Sequence, residues 1–107
     1  MRYLMMSKGQ ATAPDEKLFT EMAKFVEELS AAGVLLATGG LDPAGFKLTH
    51  AGDEITVTDG PFTEAKEAVG GFALIEVRSK EEAIDLGRRF MRIVGEGESV
   101  IHQVFGP

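Results

Sequence analysis

Three short segments, Tyr3-Leu4-Met5-Met6, Val34-Leu35-Leu36-Ala37 and Phe72-Ala73-Leu74-Ile75, are apolar at every position. Side chains alternate between the two faces of a strand, so a sheet with one wet face reads as apolar and polar in turn. Unbroken apolar runs therefore predict a sheet covered on both sides. Whatever fold the chain adopts has to supply two covers.

One cover is legible in the helices. Leu18, Met22, Phe25, Val26 and Leu29 recur at three- and four-residue spacing and predict a helix over residues 14–32. Thr12 and Asp15 are spaced like a capping box, Pro14 suits a first turn, and Gly33 suits the left-handed position past the end. A second stripe, Ala83, Leu86, Phe90 and Val94, follows a capping-box pair, Ser79 and Glu82, and stops at Gly95. Arg88, Arg89 and Arg92 fall where cations favour the negative end of that helix.

Strands are expected at residues 3–6, 34–37, 72–77 and 100–105. Residues 46–50 and 54–58 flank Ala51-Gly52-Asp53 as a hairpin. The order strand, helix, strand, hairpin, strand, helix, strand is the α+β plan of a ferredoxin-like split βαβ domain with an inserted β-hairpin. In that plan an antiparallel sheet carries both helices on one face. The second face then meets either a second subunit or the inserted hairpin folded over it, and a homodimer is the expectation.

The 107 residues suffice for one domain, 1–107, with 44% hydrophobic and 26% charged side chains, an ordinary globular balance. A net charge of -6 opposes nucleic acid and anionic membrane surfaces as partners. With no cysteine, disulfides, thiolate metal sites and a cysteine nucleophile are excluded. No apolar run approaches the ~20 residues of a membrane span, and the first residues lack a secretory pattern, so a cytoplasmic, unprocessed protein is expected.

The chemistry-bearing residues concentrate after the hairpin. Pro61 restricts Gly60, and Gly60 tolerates backbone angles closed to other residues, which makes Asp59-Gly60-Pro61 a rigid corner. Asp59 shares parity with Ile55 and Val57 and is expected to point inward, either as an Asx-turn residue bonding nearby amides or as a pocket carboxylate able to act as general base. Glu64, Lys66 and Glu67 follow closely, as surface ion pairs or as part of a site.

His102 lies between Ile101 and Gln103 and reads as a core or interface histidine, with proton transfer as its alternative role. His50, Asp53 and Glu54 match no established metal-ligand spacing, so no metal is expected. The Gly39-Gly40 pair lacks the remainder of a phosphate loop, and no nucleophile motif or cofactor fingerprint is present. Cofactor-free chemistry is the expectation.

Arg2-Tyr3-Leu4-Met5-Met6, the helix exit Ala32-Gly33-Val34-Leu35-Leu36, Asp59-Gly60-Pro61-Phe62, Glu64, Lys66-Glu67, Gly71 and Gln103-Val104-Phe105 together resemble the DGPF branch of the YCII-related family. That resemblance implies a dimeric α/β barrel, two such sheets face to face, with a pocket near the first helix or inserted loop. Phe62, Glu64 and Lys66 are the substrate-binding candidates beside the catalytic candidates Asp59 and His102. Some relatives carry a histidine and aspartate pair in the pocket, but the first helix here has no histidine. Two functions follow as expectations: a cofactor-independent isomerase- or lyase-type enzyme for a small organic molecule, or a non-catalytic ligand-binding or regulatory module of the kind associated with sigma-factor contexts.

Overall fold

The computed structural model describes residues 1–8, 15–42, 44–60 and 69–106. The chain runs β1 (Arg2–Lys8), α1 (Glu16–Ala31), β2 (Leu35–Gly40), β3 (Phe46–Ala51), β4 (Glu54–Asp59), β5 (Val69–Glu76), α2 (Lys80–Val94) and β6 (Glu98–Val104). The main sheet has the order β2-β5-β1-β6 with every neighbour antiparallel, and β3-β4 form a separate two-stranded sheet. This is the expected ferredoxin-like α+β arrangement.

Register explains how the apolar runs are used. Tyr3 stands opposite Ile75 and Met5 opposite Ala73, whereas Leu4 stands opposite both Leu74 and His102. Directly paired residues share a face. Tyr3, Met5 and Ile75 are buried with Phe25 and Leu29 of α1 and Ala83 and Leu86 of α2, so both helices cover that face. Ile75 is the most enclosed large side chain, at 1% exposure. Leu4, Met6, Leu74 and Val100 occupy the opposite face, where they are half-buried among their own neighbours, and Val104 there is exposed.

The hairpin does not supply the second cover. Phe46, Leu48, Ile55 and Val57 lie on one of its faces and remain 61–69% exposed.

Local chemistry sets the helix ends. Ser79 caps α2 by accepting from the Glu82 amide at 3.1 Å, and Glu82 reaches back to the Arg78 N–H at 3.2 Å, one residue beyond the usual reciprocal bond. Replacing Ser79 by Ala is expected to cost about 0.5–2 kcal/mol, read from denaturant curves. An unchanged midpoint would place the helix start elsewhere.

At α1 the structure corrects the expected cap. Asp15 is itself the N-cap and accepts from the Leu18 amide at 2.7 Å, because a short carboxylate reaches the third helical N–H directly. The helix consequently starts at Glu16; Thr12 and Pro14 lie outside the described residues. At its other end Gly33 has φ 73°, Val34 donates to Leu29 O and Gly33 to Ser30 O, a Schellman motif that satisfies two terminal carbonyls.

Of the three arginines, Arg92 lies in the last turn of α2 as expected, and Arg88 reaches Asp85 at 3.4 Å. Arg89 instead joins the helices. It donates to both Glu28 oxygens, at 2.6 and 2.9 Å, and its guanidinium lies 4.9 Å from the Phe25 ring centre. The hydrogen bond from Arg89 holds the Glu28 carboxyl below its ordinary range.

A lowered folded-state pKa stabilises above the unfolded value and is lost as pH falls through the folded one. Glu28→Gln should therefore remove a small acid-side dependence and leave stability near pH 7 little changed, since the pair is exposed and solvent-screened. Melting curves at pH 3 to 7 check this.

Candidate functional site

Two glycine pairs shape the site. Gly39-Gly40 end β2, Gly70-Gly71 open the body of β5, and Gly40 pairs with Gly71 in the row that also contains Ser7. Tyr3 and Ser7 share parity along β1, so this row faces the helices. Where neighbouring strands would project side chains, the sheet is bare. A Cβ added at Gly71 would approach Gly39 O to 3.1 Å, so the backbones are already close.

Above this floor lies a cavity of about 410 Å³ between the sheet and the helices. Met22, Phe25 and Val26 of α1, Leu86 and Phe90 of α2, and Met5 and Ile75 of the sheet contribute its apolar walls. Ser7 and Thr38 provide the side-chain hydroxyls. The Thr38 hydroxyl donates to Phe72 O at 2.9 Å, and the Ser7 hydroxyl makes a longer bond, 3.5 Å, to Gly71 O.

Among the described residues no acid, base or cation lines the cavity. A hydroxyl without a neighbouring base is a weak nucleophile. Ser7 and Thr38 are therefore suited to orient a ligand by hydrogen bonds, and the apolar walls to desolvate it.

The sequence-derived residues fall elsewhere. Asp59 ends β4 opposite Phe46, and it keeps the expected parity with Ile55 and Val57, but that face is exposed, so its carboxylate is not directed into a core of this chain. His102 is exposed on the open face of the main sheet, opposite Leu4. The two belong to different sheets, and neither lines the cavity. Phe62, Glu64, Lys66 and Glu67 lie outside the described residues. His50 pairs with Ile55 in the exposed hairpin, and no cluster of three metal-binding side chains occurs among the described residues.

Gly60, next to Asp59, is held against residues 44 and 45, while Pro61 lies outside the described residues. Gly60 donates to Gly45 O at 2.7 Å, and a Cβ at Gly60 would lie 2.7 Å from Gly45 O and 2.8 Å from Ala44 O. Only glycine permits this approach. Asp42 supports the other side by accepting from the Ala44 amide at 2.9 Å.

Sequence reasoning missed Ser7, Thr38 and the role of the glycines. The available signal was a pair of Gly-Gly dipeptides, each beside an apolar strand run, with no other residues of a phosphate loop.

A structure of 5-chloro-2-hydroxyhydroquinone dehydrochlorinase (TftG) from Burkholderia phenoliruptrix AC1100, in complex with 2,5-dihydroxybenzoquinone, superposes with a TM-score of 0.52 and 16% identity. The match covers 100% of this chain and 96% of that one. At this identity the likeness concerns the fold. An uncharacterized protein of Rhizobium meliloti (strain 1021) is 37% identical over 76 residues, covering 69% of this chain and 61% of the relative's length. No helix among the described residues is long and apolar enough to cross a membrane. The model of the YCII-related domain matches residues 1–99, and the chain belongs to that family.

Proposed function

We propose that this YCII-related protein is a homodimer that takes a small, mostly apolar ring compound into the cavity between helices and sheet. In this reading it carries out an isomerase- or lyase-type reaction without a cofactor. The observation that carries the proposal is the cavity itself: about 410 Å³, apolar walls, and the hydroxyl-bearing Ser7 and Thr38 in its lining. Small-molecule sites commonly occupy roughly 300–1,000 Å³ and combine apolar walls with a few polar groups.

The segment from Asp59 to Gly70 leaves the hairpin at one end and rejoins the fold on the cavity floor at the other. In this reading Asp59 is the proton acceptor, and Phe62, Glu64 and Lys66 are the substrate-binding residues. The TftG neighbour, named for loss of chloride from a hydroxylated ring and solved with a dihydroxybenzoquinone, supports a hydroxylated ring as ligand class. His102, beside Leu4 on the open sheet face, is assigned to the dimer interface.

The absence of any acid or base from the cavity lining among the described residues favours a second reading, a non-catalytic ligand-binding or regulatory module. One series of measurements separates them. Hydroxylated benzoquinones and phenols are screened by thermal shift, and hits are then followed for conversion. Val26→Phe should fill the cavity and abolish stabilisation by the hits. Asp59→Asn and Lys66→Ala should retain binding and lose turnover.

Binding without turnover by the unaltered protein selects the module. If no compound stabilises the protein, or if Val26→Phe binds as well as the parent, the cavity is not the site.

A further inference from the structure

Strand β2 changes faces partway along. Leu35 stands opposite Ile75 and Ala37 opposite Leu74, so Leu36 has no partner in β5. Strict alternation would put Leu35, Ala37 and Gly39 on one face of the sheet and Leu36 and Thr38 on the other. A one-residue bulge at Leu36 resets that count. Thr38 then pairs with Ala73, which stands opposite Met5 on the helix-facing side, and Gly39 pairs with Phe72 on the open side. A Cβ added at Gly39 would meet the Phe72 ring at 3.2 Å, as that pairing requires. The bulge thereby turns Thr38 to the side of the cavity, which it lines.

The Thr38 hydroxyl already has a use for its proton. It donates to Phe72 O at 2.9 Å, and a carbonyl oxygen only accepts. What it has left for a ligand is its two lone pairs. The Ser7 hydroxyl, 3.5 Å from Gly71 O, is held too loosely to fix its direction. The apolar walls take up any ring of suitable size, so discrimination between polar substituents falls to Thr38.

We infer that Thr38 selects a ring compound that donates a hydrogen bond, a phenol-type hydroxyl, over a ring of similar size that only accepts, such as a quinone. The inference rests on the cavity being the binding site, as proposed above, and names the ligand chemistry that one of its lining residues prefers. A hydroxyl brings a proton to the Thr38 lone pairs. A carbonyl oxygen brings lone pairs of its own, or makes Thr38 give up its bond to Phe72 O, and either way a polar atom goes unpaired. A product whose ring hydroxyl has become a carbonyl is therefore held less tightly than its precursor, which favours release.

The test compares p-cresol, which donates, with p-tolunitrile, which only accepts, by titration calorimetry. Thr38→Val keeps the shape of the side chain and removes its hydroxyl. It should weaken p-cresol about three- to tenfold, the worth of one neutral hydrogen bond, and leave p-tolunitrile unchanged. Unchanged p-tolunitrile binding also shows that the cavity of the variant is intact. Thr38→Ser should restore p-cresol, a rescue that a purely structural role would not give.

Equal losses for both ligands, or a loss for p-tolunitrile alone, overturn the inference, because Thr38 then acts through its shape or as a donor. Affinities unchanged for both overturn it as well. In each of these cases the cavity stands as the site so long as Val26→Phe abolishes binding. If Val26→Phe binds p-cresol like the parent protein, or the parent binds neither ring, the cavity reading falls and the role of Thr38 falls with it.

Discussion

Ile75→Asp is expected to yield no stably folded protein, while Leu74→Asp, one residue away, yields a folded monomer. Ile75 is 1% exposed beneath the helices, and its replacement both removes a core side chain and leaves an unpaired charge. The first effect costs about 2–5 kcal/mol and the second about 3–5 kcal/mol. Together they consume most or all of a typical stability of about 5–15 kcal/mol.

Leu74 faces the other way, opposite Leu4 and Ala37, and is half-buried in the single chain. A carboxylate there keeps its water in the monomer and loses it only when a second sheet arrives. Circular dichroism and light scattering on the two variants settle the matter. A folded Ile75→Asp contradicts the register, and a dimeric Leu74→Asp contradicts the proposed interface.

Gly60→Ala is expected to open the base of the hairpin. Its new Cβ meets the Ala44 and Gly45 carbonyl oxygens, and these are backbone atoms that no rotamer change can move aside. Overpacking of this kind costs about 1–3 kcal/mol. Reduced freedom of the unfolded chain returns only about 0.4–1 kcal/mol for a Gly→Ala change. The net sign is destabilising.

Because the hairpin is a separate sheet, the loss should be local. Amide hydrogen exchange should accelerate in β3 and β4 and stay unchanged in β1 and β5. Uniform acceleration would mean that the hairpin and the core unfold as one unit.

What the sequence determined by itself is local and periodic. The three- and four-residue stripes placed α1 and α2, Ser79 and Gly33 marked ends where the chain does turn, and the order of strands and helices specified the ferredoxin-like plan. Each depends on residues within a few positions of one another. The cap at Asp15 shows the edge of that reach, since Thr12 and Asp15 both carry cap chemistry and the choice depends on which side chain meets the first free amides.

Tertiary structure decided everything that joins distant residues. Glu28 and Arg89, separated by 61 positions, meet only because α1 and α2 lie side by side. Gly39, Gly70 and Gly71 line one cavity because β2 and β5 are neighbours in the sheet, which neither dipeptide reveals alone. Asp59 and His102 both read as proton-transfer candidates in the sequence, but parity is defined only within a sheet, and these residues belong to two. Strand alternation says which side chains share a face; only the packing of elements says what that face meets.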